Sequence, residues 1–128
     1  MTQIHASIIL MESKHSLFKS FVFAFTGLKT ALAKGRNFRI QFFLGIIAST
    51  GAYFLKFTAD AWAILVITIA SILILELINT SIESIVNIVS PEIRPEAKIA
   101  KDIAAASVLI AAIASLFIAA FLFLPKIF

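Results

Sequence analysis

Four polar residues recur at helical spacing inside an apolar run. They are Glu76, Asn79, Glu83 and Asn87, in the stretch LELINTSIESIVN at residues 75–87. A carboxylate can take the proton of a hydroxyl or hold a hard cation, and an asparagine can order either by hydrogen bonding. At about 100° per residue, setting Glu76 to zero puts Asn79 at about 300°, Thr80 at about 40°, Glu83 at about 340° and Asn87 at about 20°. These five residues share an arc of about 100°, and the stripe runs about 16 Å along the helix axis. Ile78, Ile82 and Ile85 fall on the opposite side. Polar groups confined to one face are what a site or a polar interface requires.

Carboxylates within an apolar span by default mark function. The structural reading is a polar contact between helices. Two glutamates serve that purpose poorly, because like charges repel. A bound cation, or one carboxyl staying protonated, explains the pair better. The chain has no cysteine and only two histidines, His5 and His15, both in the N-terminal lead, so zinc is not expected. Oxygen donors suit Mg2+, which usually takes one or two carboxylates together with substrate phosphates. Lys98, Lys101 and the nearby arginines supply positive charge for a polyphosphate. Carboxylates and lysines together at a membrane surface suggest phosphoryl transfer, which depends on positioning and charge neutralisation. No phosphate-binding glycine loop of a familiar nucleotide fold is present.

The elements that position these residues follow from composition. Of 128 residues, 61% are hydrophobic and only 14% charged. That excess over an ordinary soluble domain points to an integral membrane protein. Three stretches could cross a bilayer: about 40–58, about 61–86 and about 98–125, the last uncharged from 103 onward. Helices are the expected form, because the backbone in lipid must satisfy its own hydrogen bonds. Residues 16–33 repeat apolar side chains at steps of three and four (Leu17, Phe18, Phe21, Phe25, Leu28, Leu32) and read as an amphipathic helix on the membrane surface. Gly35 breaks the helical pattern before the first span. Pro91 and Pro95 bracket a loop, and Pro95 suits the first turn of the last helix. Residues 1–15 read as a disordered lead, without the features of a cleavable signal peptide, and 16–128 as one domain.

Orientation comes from the basic residues. Nine lie before the first span or between the second and third, against two, Lys56 and Lys126, on the other side. This places the N-terminus and the 88–101 loop in the cytoplasm.

The stretch ELINTSIESIVN, followed by AKIAKDIAAASVLIA, closely resembles the prokaryotic diacylglycerol kinase family, small membrane lipid kinases whose Gram-positive members phosphorylate undecaprenol. Its signature is a glutamate, an asparagine three residues on, a glutamate four further and a downstream alanine-lysine-aspartate. Here these are Glu76, Asn79, Glu83 and Ala100-Lys101-Asp102. FAFTGLKTAL and RNFRIQ also look like family segments, and the resemblance covers residues 16–125.

The resemblance implies an all-α membrane fold, with a surface helix plus three transmembrane helices in a homotrimer with shared sites. It implies a bacterial plasma-membrane enzyme moving the γ-phosphoryl of ATP to a lipid hydroxyl with Mg2+, and no nucleic-acid partner. Glu76 would be the general base and Glu83 the metal ligand. Lys19, Gly27, Glu83, Lys101 and Asp102 would meet ATP. Asn79, Asn87, Arg39 and Gln41 would order the site or the substrate.

The sequence departs from the family pattern at Gly35, where a metal-sharing glutamate is usual. Asn87 replaces an aspartate, and Ala104 to Ser107 lack an early glycine. Gly35 and Asn87 motivate a second reading, a catalytically impaired membrane scaffold. A third, a small transporter or pore lined by the stripe, is disfavoured by the compact loop and the lysine-aspartate pair.

Overall fold

A computed structural model describes residues 17–92 and 94–128. Among them are four helices: α1 Leu17–Lys34, α2 Arg36–Phe54, α3 Ala59–Val89 and α4 Pro95–Ile127. Leu17–Lys34 lies in one compact unit and Gly35–Phe128 in another. The expected lead at 1–15 lies outside the described residues.

Helix α1 carries its large apolar side chains outward, with Leu17, Phe18, Phe21 and Phe25 all strongly exposed. Thr26 and Thr30 satisfy their hydroxyls on their own helix, donating to Val22 O and Thr26 O. The range matches the expected amphipathic helix to within a residue at either end. Gly35 is the single non-helical residue before α2, at φ −83° and ψ 102°. That conformation is open to any residue, so glycine is not required there by the backbone.

The expected first span at 40–58 begins earlier and stops four residues sooner, at Phe54. The stop is a Schellman turn. Lys56 N–H donates to Tyr53 O and Phe57 N–H to Ala52 O, each at 3.1 Å. Lys56 takes the left-handed position with φ 52°. Phe57, just past the turn, folds back as a buried residue with Ala52 and Leu65, and Trp62, Ile69 and Phe123 pack around them. Its ring meets that of Phe123 at 4.8 Å between centroids, tilted by 52°. The well-packed end of the second unit is therefore the end farthest from the polar stripe.

Helix α3 starts at Ala59 because Thr58 caps it, its hydroxyl oxygen accepting from Ala61 N–H at 3.4 Å. Asp60 adds a negative charge at the positive helix end. The helix runs to Val89, three residues beyond the expected end. Helix α4 opens with Pro95 in its first turn, as the sequence predicts, and runs to Ile127. Helices α3 and α4 are the two that are long and apolar enough to cross a membrane. At 1.5 Å per residue they span about 46 Å and about 50 Å, well beyond a hydrocarbon core of about 30 Å. Helix α2 forms as a 19-residue helix but opens with Arg36 and carries Arg39 in its first turn.

Helix α3 packs against both α2 and α4. On the α2 side the approach is close. A Cβ on Gly45 would stand 2.9 Å from Ile69 Cγ2. Ile69 is β-branched and stiff at that methyl, so it cannot swing away. Gly45→Ala is therefore expected to force the two helices apart, at a cost of about 1–3 kcal/mol. Denaturant or thermal unfolding in detergent checks this.

Candidate active site

Six serines and threonines of the apolar helices satisfy themselves on their own backbone. Thr50, Thr68, Ser71, Ser81, Ser84 and Ser115 each donate to the carbonyl four residues back. Such hydroxyls need no partner from outside their helix.

Glu76 and Asn79 behave differently. They are the buried polar residues among those described, 4% and 7% exposed. Glu76 Oε2, Asn79 Oδ1 and Gln41 Oε1 are buried with no hydrogen-bond partner. Unpartnered buried oxygens are costly, and each needs a donor or a cation. The apolar side of the same stretch faces the other way, with Ile78 at 50% and Ile85 at 59% exposure. The start of the stripe read from the sequence is thus turned inward, with Ile78 and Ile85 outward and Ile82 half-buried, as expected of a helix in lipid. Glu83 and Thr80 are half-buried and Asn87 is exposed, so the stripe passes from covered to open along α3.

Helix α2 supplies the wall opposite Glu76. The Gly45–Ile69 contact fixes the register, and the short turn at 55–58 makes the helices antiparallel. Counting about two turns from that contact along each helix brings Phe38 to the level of Glu76, with Gln41 one turn short of it. Phe38 is 3% exposed and stacks with Phe42 at 6.4 Å between ring centroids. On α4 the residues buried at this end are Ala104 and Val108. Ala104 is thus a helix-packing position.

At the open end of α3 the chain forms a cleft of about 340 Å³ lined by Asn87, Ser90, Arg94, Lys98, Lys101 and Asp102 among others. Lys101 Nζ donates to Asn87 Oδ1 across the two helices at 3.2 Å. Lys98 and Asp102, one turn apart on α4, form an ion pair, and Arg94 meets Glu92 at 3.5 Å. The pairing of Lys98 was missed from the sequence, although its spacing of four from Asp102 on a helix is the signal for it.

The structure thus brings Asn87, Lys101 and Asp102 into one cleft. It buries Glu76, Asn79 and the amide oxygen of Gln41 deeper, with Glu83 between on α3. Arg39 is exposed in the first turn of α2, and Lys19 and Gly27 lie on α1 in the other unit. Among the described residues no three histidine, cysteine, aspartate or glutamate side chains group to hold a metal. A protein-only cage is therefore absent there. Glu83 makes no ion pair within 4 Å among the described residues.

Fold and site together define a small, all-helical membrane protein with an inward-facing polar strip that opens into a charged cleft. The sequence profile described as prokaryotic diacylglycerol kinase matches residues 22–123. A diacylglycerol kinase of Synechocystis is 43% identical over 88% of this chain, and the match spans 65% of that protein. The undecaprenol kinase of Bacillus subtilis is 34% identical over 86% of this chain and 89% of its own length. A diacylglycerol kinase of Helicobacter pylori (strain J99) is 35% identical over 73% of each. The chain belongs to the prokaryotic diacylglycerol kinase family.

Proposed function

We propose that this chain is an ATP-dependent lipid kinase that moves the γ-phosphoryl group to the hydroxyl of a membrane lipid alcohol, diacylglycerol or undecaprenol. The observation that carries the reading is the buried, unpartnered Glu76 carboxylate on a membrane helix whose open end meets a cleft with lysines. The lipid arrives from the bilayer and presents a hydroxyl, the donor that Glu76 lacks. Glu76 is the general base for its proton. Asn79, one turn away, holds the hydroxyl or the carboxylate in place, and Gln41 lies one turn short of Glu76 on α2. Lys101 meets phosphate and Asp102 the nucleotide. Arg39, in the first turn of α2, meets the headgroup end.

Glu83 would hold Mg2+ together with the phosphates, and the ion would neutralise their charge. The cleft and the N-terminus face the cytoplasm of a bacterial plasma membrane, α2 forms a third span, and three copies share sites in a homotrimer.

The test is to incubate purified protein with labelled ATP, Mg2+ and a panel of lipid alcohols that includes diacylglycerol and undecaprenol. Labelled lipid from at least one is expected, and the side-by-side rates choose the substrate. Absence of label in all of them would overturn the reading.

A further inference from the structure

The cleft at the end of α3 contains five charged side chains, and most of that charge cancels locally. Lys98 is held by Asp102 and Arg94 by Glu92. Lys101 remains. Its partner is the amide oxygen of Asn87, which accepts a proton but brings no charge. Glu83, one turn before Asn87 on α3, makes no ion pair with Lys101 within 4 Å. We propose that Asn87 is a positioning residue: it fixes the Lys101 ammonium at the cleft while leaving its charge uncompensated, so that the cleft binds the phosphates of ATP even without a divalent cation. This rests on reading the cleft as the nucleotide site.

The geometry favours this over a purely structural role. Asn87 is exposed and Lys101 half-buried. A hydrogen bond between side chains so placed adds little to stability. Helices α3 and α4 are already joined by a short link, and α4 buries Ala104 and Val108 nearby. What the bond does is direct the ammonium. Lysine has three N–H donors on a flexible stem; one donated to Asn87 sets the head, and two are left for an anion. A carboxylate at position 87 would hold the same head more tightly and cancel its charge. It would also set a negative charge against the phosphates.

The experiment uses the full chain in lipid nanodiscs, with ATP as the ligand, first in EDTA and then with saturating Mg2+. Wild type is expected to bind ATP in EDTA, with an affinity that falls as salt rises. Asn87→Asp is expected to bind metal-free ATP about tenfold more weakly, from the added negative charge within a few ångströms of the phosphates. Asn87→Ala should lose less, since Lys101 keeps its charge and gives up only its direction. With Mg2+ the penalty of Asn87→Asp should shrink, because a carboxylate can then contribute to cation binding. In turnover assays the loss should fall on KM for ATP and not on kcat. Equal affinities of Asn87→Asp and wild type in EDTA would overturn the proposal. So would equal losses in Asn87→Asp and Asn87→Ala in EDTA, which would mark a structural role. If wild type binds no ATP in either condition, the nucleotide reading of the cleft falls, and this proposal falls with it. Binding by wild type with an unaffected Asn87→Asp sinks this proposal alone.

Discussion

Glu76→Gln is expected to lower lipid phosphorylation by about 10²–10⁴-fold, the range that a positioned general base contributes. The substitution keeps size and shape and removes only the capacity to accept the hydroxyl proton as a base. The loss should appear in kcat, with KM for ATP little changed, because Glu76 lies about 16 Å along α3 from Asn87 and the nucleotide cleft. A companion variant separates function from fold. Glu76 is buried with one oxygen unpartnered, so Glu76→Leu removes an unsatisfied buried group. It should unfold no more easily than wild type in detergent, and with a gain of about 1 kcal/mol if the new side chain fits, while losing all turnover. A glutamate kept as structural glue gives the opposite pair of results: lower stability and residual activity. Turnover retained in Glu76→Gln removes Glu76 from the base role.

How much of this was legible in the sequence differs by feature, for physical reasons. The polar stripe was legible because helical period and side-chain chemistry agree along residues 75–87. Its inward face follows from the high cost of burying those groups against lipid. The existence of each helix was legible from apolar runs and from Gly35 and Pro95. The end of α2 was not. Residues 55–58 read as a continuation of an apolar span, and only the hydrogen bonds of Lys56 and Phe57 back onto the helix show why it stops at Phe54. A left-handed lysine carries no compositional mark, since glycine is the usual signal there. The cleft was partly legible. Its lysines and aspartate stood out, and the four-residue spacing of Lys98 and Asp102 signals their pairing, but the partner of Lys101 depends on where α4 is set against α3. That is a tertiary fact: Asn87 and Lys101 are 14 residues apart in the chain and meet only across the helix pair.

The second large effect concerns the cation. Among the described residues no group of three histidine, cysteine, aspartate or glutamate side chains includes Glu83. A divalent ion held by Glu83 would draw further oxygen ligands from phosphate. Glu83→Gln is therefore expected to raise the Mg2+ needed for half-maximal activity by at least about tenfold, since a charged oxygen ligand is replaced by a neutral one. The reverse change is available at Gly35. Its backbone, φ −83° and ψ 102°, accepts any side chain, and it precedes the first turn of α2 without a side-chain cap. A glutamate there is favoured by the positive end of the helix, and the resemblance noted in the sequence puts one at this position. Gly35→Glu should lower the Mg2+ requirement several-fold, on the order of what one added carboxylate contributes to a hard-cation site. The two changes combined decide the matter. If residues 35 and 83 share one ion, the benefit of Gly35→Glu depends on Glu83 and largely disappears in the double variant, a non-additivity that a mutant cycle in Mg2+ dependence reads directly. An undiminished benefit in the double variant would place the two carboxylates at separate ions, and an unchanged Mg2+ dependence in Glu83→Gln would remove Glu83 from the metal altogether.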